Sequence, residues 1–162
     1  MKTHTSLIVA LTLGLLSVDH SIHASDSTST GPNKVLYDYL GDPVAAPANM
    51  DAAYTKEGLT HAMQDAAKAA DITLVKLQID DSEFPFLVGV ICANQQDMEK
   101  LKDQIRKMPA YNYTGGVGGG RSASYAMNLV HYKAYPADAH QRIEHRLSLR
   151  EAIVFEKLHE KR

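Results

Sequence analysis

The sequence predicts an α+β fold: one small domain with helices packed on one face of an antiparallel sheet, and a long amphipathic helix at the C-terminal end. Three observations carry this. The apolar period changes from three-and-four to two near Asp71, which marks a helix handing over to a strand. An acidic turn at residues 80–85 (DDSEFP) separates two β-forming runs, the pattern of an antiparallel hairpin. Residues 136–162 combine dense charge with apolar positions at helical spacing, as in a helix lying on a surface.

The N-terminal segment has to be set aside before the fold is read. Lys2 precedes the apolar run LIVALTLGLL at 7–16, and Ile22-His23-Ala24 offers a small residue before Ser25. That is the layout of a secretory signal peptide. A membrane anchor wants about 20 apolar residues in succession, and this run meets Asp19, His20 and His23 too soon. The expectation is export to the periplasm or exterior with cleavage near Ala24, and a mature chain without a membrane span. Removing residues 1–24 takes one lysine and one aspartate and leaves 16 basic and 18 acidic residues, so the net charge stays at -2. Such a balance gives no electrostatic reason to seek nucleic acid. Cys92 is the one cysteine, so stability rests on packing rather than on an internal disulfide. Within FLVGVICA it reads as a buried, inert residue.

Residues 25–33 (SDSTSTGPN) read as a disordered leader, and residues 34–135 as the α+β domain. Residues 34–40 (KVLYDYL) suit either a short strand or a helical turn, and residues 41–47 are loop. From 51 to 70, Leu59, Ala62, Met63, Ala66, Ala67 and Ala70 mark one helix face, with Gly58 a weak point. Thr73, Val75, Leu77 and Ile79 then alternate with Lys76, Gln78 and Asp80 as a half-buried strand, and residues 86–93 form a strand covered on both faces. Asn94 caps a second helix, with Asp97 completing an imperfect capping box; Met98, Leu101, Ile105 and Met108 give its stripe and Pro109 stops it. Residues 110–114 read as extended and residues 124–135 as strand, although Ala123, Ala126, Met127 and Val130 also fit a helical stripe. In the final helix, Ile143, Leu147, Val154 and Leu158 form a stripe, widened by Ile153 and Phe155, that suits either the domain or a second copy of itself. If residues 34–40 are a strand, the order β-α-β-β-α-β is that of a ferredoxin-like sandwich.

The stretch TGGVGGGRS at 114–122 resembles two phosphate motifs. It spells G-x-x-x-x-G-R-S from Gly115, and G-x-G-x-x-A from Gly118. Both motifs work by delivering an anion to a helix N-terminus, and the segment that follows here leans toward strand. The cluster therefore reads first as a glycine-rich connection and second as a ligand-binding loop. Five glycines in six residues are more than a turn requires, and tyrosine and arginine beside them suit contact with a peptide, glycan or anionic group. The candidate binding residues are Tyr111, Tyr113, Gly115, Gly116, Gly118, Gly119, Gly120, Arg121 and Tyr125.

Other candidates are weaker. His140-Gln-Arg-Ile-Glu-His145 has one residue too many for H-x-x-E-H, and His140 and His145 do not share a helix face. The turn at 80–83 lacks the alternating ligands of a calcium loop and reads as a charged hairpin turn. No catalytic residue, metal or cofactor is assigned. The sequence points to an exported, non-catalytic module that binds a protein, peptide or envelope glycan. One alternative is a small secreted hydrolase built by the fold from His131, Glu144 and His145. Another is an assembly protein that dimerises through residues 136–162.

Overall fold

The computed structural model describes residues 42–113, 115–118 and 123–160. The segments read from the sequence as signal peptide (1–24) and leader (25–33), and residues 34–40, lie outside the described residues, as do Gly119, Gly120 and Arg121. Among the described residues there are three helices and a four-stranded antiparallel sheet: α1 (Lys56–Ala69), β1 (Leu74–Asp80), β2 (Leu87–Cys92), α2 (Gln95–Arg106), β3 (Gly116–Gly118), β4 (Ser124–Asn128) and α3 (His140–His159). The sheet order is β1-β2-β4-β3.

Helix α1 starts later than the periodicity suggests. Residues Ala52–Tyr54 form a separate 3-10 turn, capped by Asp51, whose Oδ1 accepts the Ala53 N–H at 2.9 Å. Thr55 is extended (φ -69°, ψ 165°) and its hydroxyl accepts the Gly58 N–H at 3.1 Å. That is an N-cap, so the true helix begins at Lys56. At the other end Asp71 adopts φ 53° while Ile72 N–H reaches the Ala67 carbonyl at 3.0 Å and Asp71 N–H reaches Lys68 at 3.1 Å. This pair of bonds is the Schellman closure. The predicted face, Leu59, Ala62, Met63, Ala66 and Ala67, is buried.

The hairpin forms as expected, with Leu77 opposite Val90 and Asp80 opposite Leu87, and a bulge between Leu74 and Lys76. In β2, Val88, Val90 and Cys92 join the core beneath α1 and α2 while Leu87 joins the core beneath α3. That alternation makes it the strand covered on both faces. Asn94 caps α2 by accepting the Asp97 N–H at 2.9 Å, and its Nδ2 donates to the Asp97 carboxylate at 2.9 Å.

The described residues do not form the ferredoxin-like sandwich. In that arrangement β2-α2-β4 would be a parallel crossover, whereas β2 and β4 are antiparallel neighbours. The crossover instead ends in β3, which pairs antiparallel with β4 and therefore runs parallel to β2. Helix α2 thus spans a split unit with β4 in its middle. The strand predicted over 124–135 also stops early. Asn128 folds its side chain forward so that Oδ1 accepts the Val130 N–H at 3.0 Å. This turn diverts the backbone from the ladder, and Tyr132–Ala134 form a second 3-10 turn.

Helix α3 covers the sheet face opposite α1 and α2, and buries Ile143, Arg146, Arg150, Ile153, Val154 and Leu158. The apolar stripe thus lies on this chain's own domain. Gly89 permits the close approach, since a Cβ there would stand 3.0 Å from Leu158 and 3.1 Å from Val154. At the helix end Lys76 Nζ donates to the Leu158 carbonyl at 2.7 Å, a cation on an orphan carbonyl at the negative pole. His159 Nε2 lies 3.0 Å from Ser124 Oγ.

The turn at 80–83 is more than a charged surface turn. Glu83 is only 4% exposed and Arg146 and Arg150 only 1%. Arg146 grips the Glu83 carboxylate through Nε and an Nη nitrogen. Arg150 donates to the Pro85 carbonyl at 3.0 Å, to the Glu83 carbonyl at 3.1 Å and to Asp80 at 3.3 Å. Its Nε stands 2.7 Å from Glu83 Oε1, outside hydrogen-bonding geometry. Two guanidiniums on α3 thereby clasp the turn between β1 and β2.

Candidate functional site

The glycine cluster is itself a strand over part of its length. Strand β3 pairs Gly118 with Tyr125 and Gly116 with Met127, and the Tyr125 ring lies across it. A Cβ on Gly118 would run into that ring, and one on Gly116 into the Ala126 carbonyl and Tyr125. These two glycines are required by an aromatic side chain laid over a neighbouring backbone. Gly115 differs: its φ of 144° is the constraint, and a Cβ there would meet nothing within 4 Å. The strand after the cluster is β4, so no helix N-terminus receives an anion and both phosphate-motif readings fail on context.

Tyr113 and Tyr125 come together, with ring centroids 6.4 Å apart and planes at 42°. Burial, and after it the neighbouring Tyr125 phenol, pushes the Tyr113 phenol well above its ordinary range. Helix α2 adds two cations. Lys102 Nζ sits 4.1 Å from the Tyr125 ring centroid and the Arg106 guanidinium 5.0 Å from that of Tyr113, within cation–π reach. Each cation is also paired on its own helix, Lys102 with Glu99 at 3.0 Å and Arg106 with Asp103 at 2.6 Å. Both rings are therefore engaged within the chain. Among the described residues, no strand pairs with the outer backbone edge of β3, a terminal strand of the sheet.

Of the predicted residues, the structure brings together Tyr113, Gly115, Gly116, Gly118 and Tyr125. Tyr111 goes elsewhere: its ring meets Tyr54 edge-on at 6.3 Å and its hydroxyl donates to the Gly58 carbonyl at 3.4 Å. Lys102 and Arg106 are functional candidates that sequence reasoning missed. Their i, i+4 spacing puts them on one side of α2, but nothing local says that tyrosines from another element lie beneath.

Glu144 stands 3.5 Å from His140, its i, i+4 neighbour, while His131 lines a surface groove that neither Glu144 nor His145 borders. Among the described residues no group of three or more His, Cys, Asp or Glu is placed to hold a metal ion. Burial raises the Cys92 thiol to about 11, which leaves it protonated and poorly nucleophilic near neutral pH.

Glu151 is a perturbed group that sequence reading passed over. Burial, opposed by a hydrogen bond from the Asn128 backbone and by the charge of Arg150, raises its carboxyl from 4.5 to about 7. The folded state then holds a proton that the unfolded state has lost between those values. Stability therefore falls as pH rises through that window. The full shift corresponds to about 3 kcal/mol, reduced to about 1–2 kcal/mol by solvent access to a half-buried group. Glu151→Gln is expected to be more stable than wild type by that amount in urea melts at pH 8 and equal to it near pH 4.5. A pH-independent difference would show that burial is not the cause.

No family model matches this chain, and neither a curated protein nor a solved structure matches it.

Proposed function

We propose that this chain is an exported, non-catalytic binding module whose partner is an extended peptide segment added to the outer edge of β3. The observation that carries the reading is the pre-built strand edge. Glycines at 116 and 118 keep that edge low, and the Tyr125 ring, Tyr113, Lys102 and Arg106 hold it from behind. Strand addition takes its affinity from backbone hydrogen bonds along such an edge. Because both tyrosine rings are engaged by cations, stacking on a sugar ring is disfavoured and a backbone-recognising partner fits better than a glycan. Export rests on the N-terminal pattern alone, Lys2 followed by the apolar run at 7–16.

Affinity capture from an envelope extract tests this, using the chain from Ser25 beside two variants. One replaces residues 115–120 by a serine linker and carries Arg121→Ala; the other is Val75→Lys on β1, the opposite edge. A protein partner retained by the wild type and by Val75→Lys but lost from the linker variant is expected. Equal capture by all three, or loss only with Val75→Lys, refutes the β3 reading.

A further inference from the structure

A second feature stands apart from β3. The groove that His131 borders has a volume of about 600 Å³, within the range that houses drug-sized ligands. One wall comes from the residues just before α1 and carries Met50, Asp51 and Tyr54; the other comes from the turn after β4 and carries His131 and Lys133. Phe84 reaches it from the β1–β2 turn.

The walls are fixed to each other. Tyr54 and Phe84, from the first wall and the β1–β2 turn, belong to one buried cluster with Val44, Val130 and Tyr135 from the segment around the second wall. Asp51 is held in place as the cap of its 3-10 turn, with Oδ1 accepting the Ala53 N–H at 2.9 Å. The groove is therefore preformed rather than assembled on demand. Its chemistry has three parts: an anion on one wall, a cation on the other, and a small apolar floor from half-buried Met50 and the rim of Tyr54, with Phe84 buried beneath.

We propose that this groove binds a short zwitterionic peptide of the dipeptide class, with Asp51 taking the ammonium, Lys133 the carboxylate, and the apolar surface one aliphatic or aromatic side chain. A ligand with both termini charged matches the two walls together, whereas a singly charged one leaves Asp51 or Lys133 facing an uncharged end. Single-sign ligands are disfavoured for the same reason. The site is independent of the β3 edge and survives if that reading fails.

Leucyl-leucine is the probe, titrated into the isotope-labelled chain from Ser25 and followed by amide chemical shifts. Saturating shifts confined to residues 49–54 and 131–134 are expected. N-acetyl-leucyl-leucine and leucyl-leucinamide should each bind roughly tenfold or more weakly, since each removes one charge-assisted contact. Asp51→Asn keeps the turn capped, asparagine being as good a cap as aspartate, and should abolish discrimination against the N-acetyl form alone. Lys133→Ala should abolish discrimination against the amide alone. Equal shifts from the parent and both blocked peptides, variants that titrate like wild type, or no shifts in these segments at millimolar peptide would each overturn the assignment.

Discussion

Glu83→Gln is expected to lower the stability of this protein by about 3–5 kcal/mol, the cost of removing one partner from a buried ion-pair network. The carboxylate is the shared counter-ion of Arg146 and Arg150, both 1% exposed. An amide of the same shape supplies one acceptor and no charge. Asp80 remains, but it reaches only Arg150, at 3.3 Å. The loss should appear as a fall in the urea midpoint with little change in slope, because the denatured state is unaltered. A triple variant discriminates between charge and shape. Glu83→Leu, Arg146→Met and Arg150→Leu together remove the desolvated ions, and such replacements are often neutral or stabilising. The triple variant should therefore stand above Glu83→Gln, and below wild type by the cost of the Pro85 and Glu83 carbonyls that lose their Arg150 donors. If Glu83→Gln alone melts within about 1 kcal/mol of wild type, the clasp contributes little and α3 is held by its apolar contacts.

This network shows what in the fold was legible in the sequence and what was not. Helix α2 was legible because its determinants are local: Asn94 and Asp97 bond across three residues, and Met98, Leu101 and Ile105 share a face. The β1–β2 hairpin was legible for the same reason. In α3 the stripe reading took Leu147 as a core position, whereas the buried positions between Ile143 and Ile153 are Arg146 and Arg150. A polarity pattern assigns arginine to solvent by default. Only the fold brings Glu83 to Arg146 across 63 residues of chain.

Strand β3 fails differently. Glycine has no strand preference to read, and Gly116–Gly118 is extended because β4 pairs with it and Tyr125 lies on it. The candidate site was accordingly half visible. Tyr113 and Tyr125 flank the cluster in sequence, but Lys102 and Arg106 join them from a helix whose outward side reads as ordinary solvated charge.

Gly58→Ala is the second large effect, and its sign is the test. Helix propensity alone forecasts a gain of about 1 kcal/mol, since glycine inside a helix is worse than alanine by that amount. Packing forecasts the reverse. A Cβ at position 58 would lie 2.8 Å from the Ala53 carbonyl oxygen and 2.9 Å from the Ala53 carbonyl carbon, and still closer to the Ala52 oxygen. These are backbone atoms, so no side chain can swing aside to make room. The turn Ala52–Tyr54 has to move, taking with it Tyr54, which is 8% exposed in the buried cluster it forms with Val44, Phe84, Val130 and Tyr135. Overpacking of this kind costs about 1–3 kcal/mol, and contact with fixed backbone puts it toward the upper end, which exceeds the propensity gain and leaves a net loss of up to about 2 kcal/mol in thermal or urea melts. The same displacement shifts the wall that carries Asp51, so leucyl-leucine affinity should fall along with stability. A stabilised Gly58→Ala with unchanged amides at 49–54 would mean that the 3-10 turn does not rest on the start of α1, and the groove it walls would have to be redrawn.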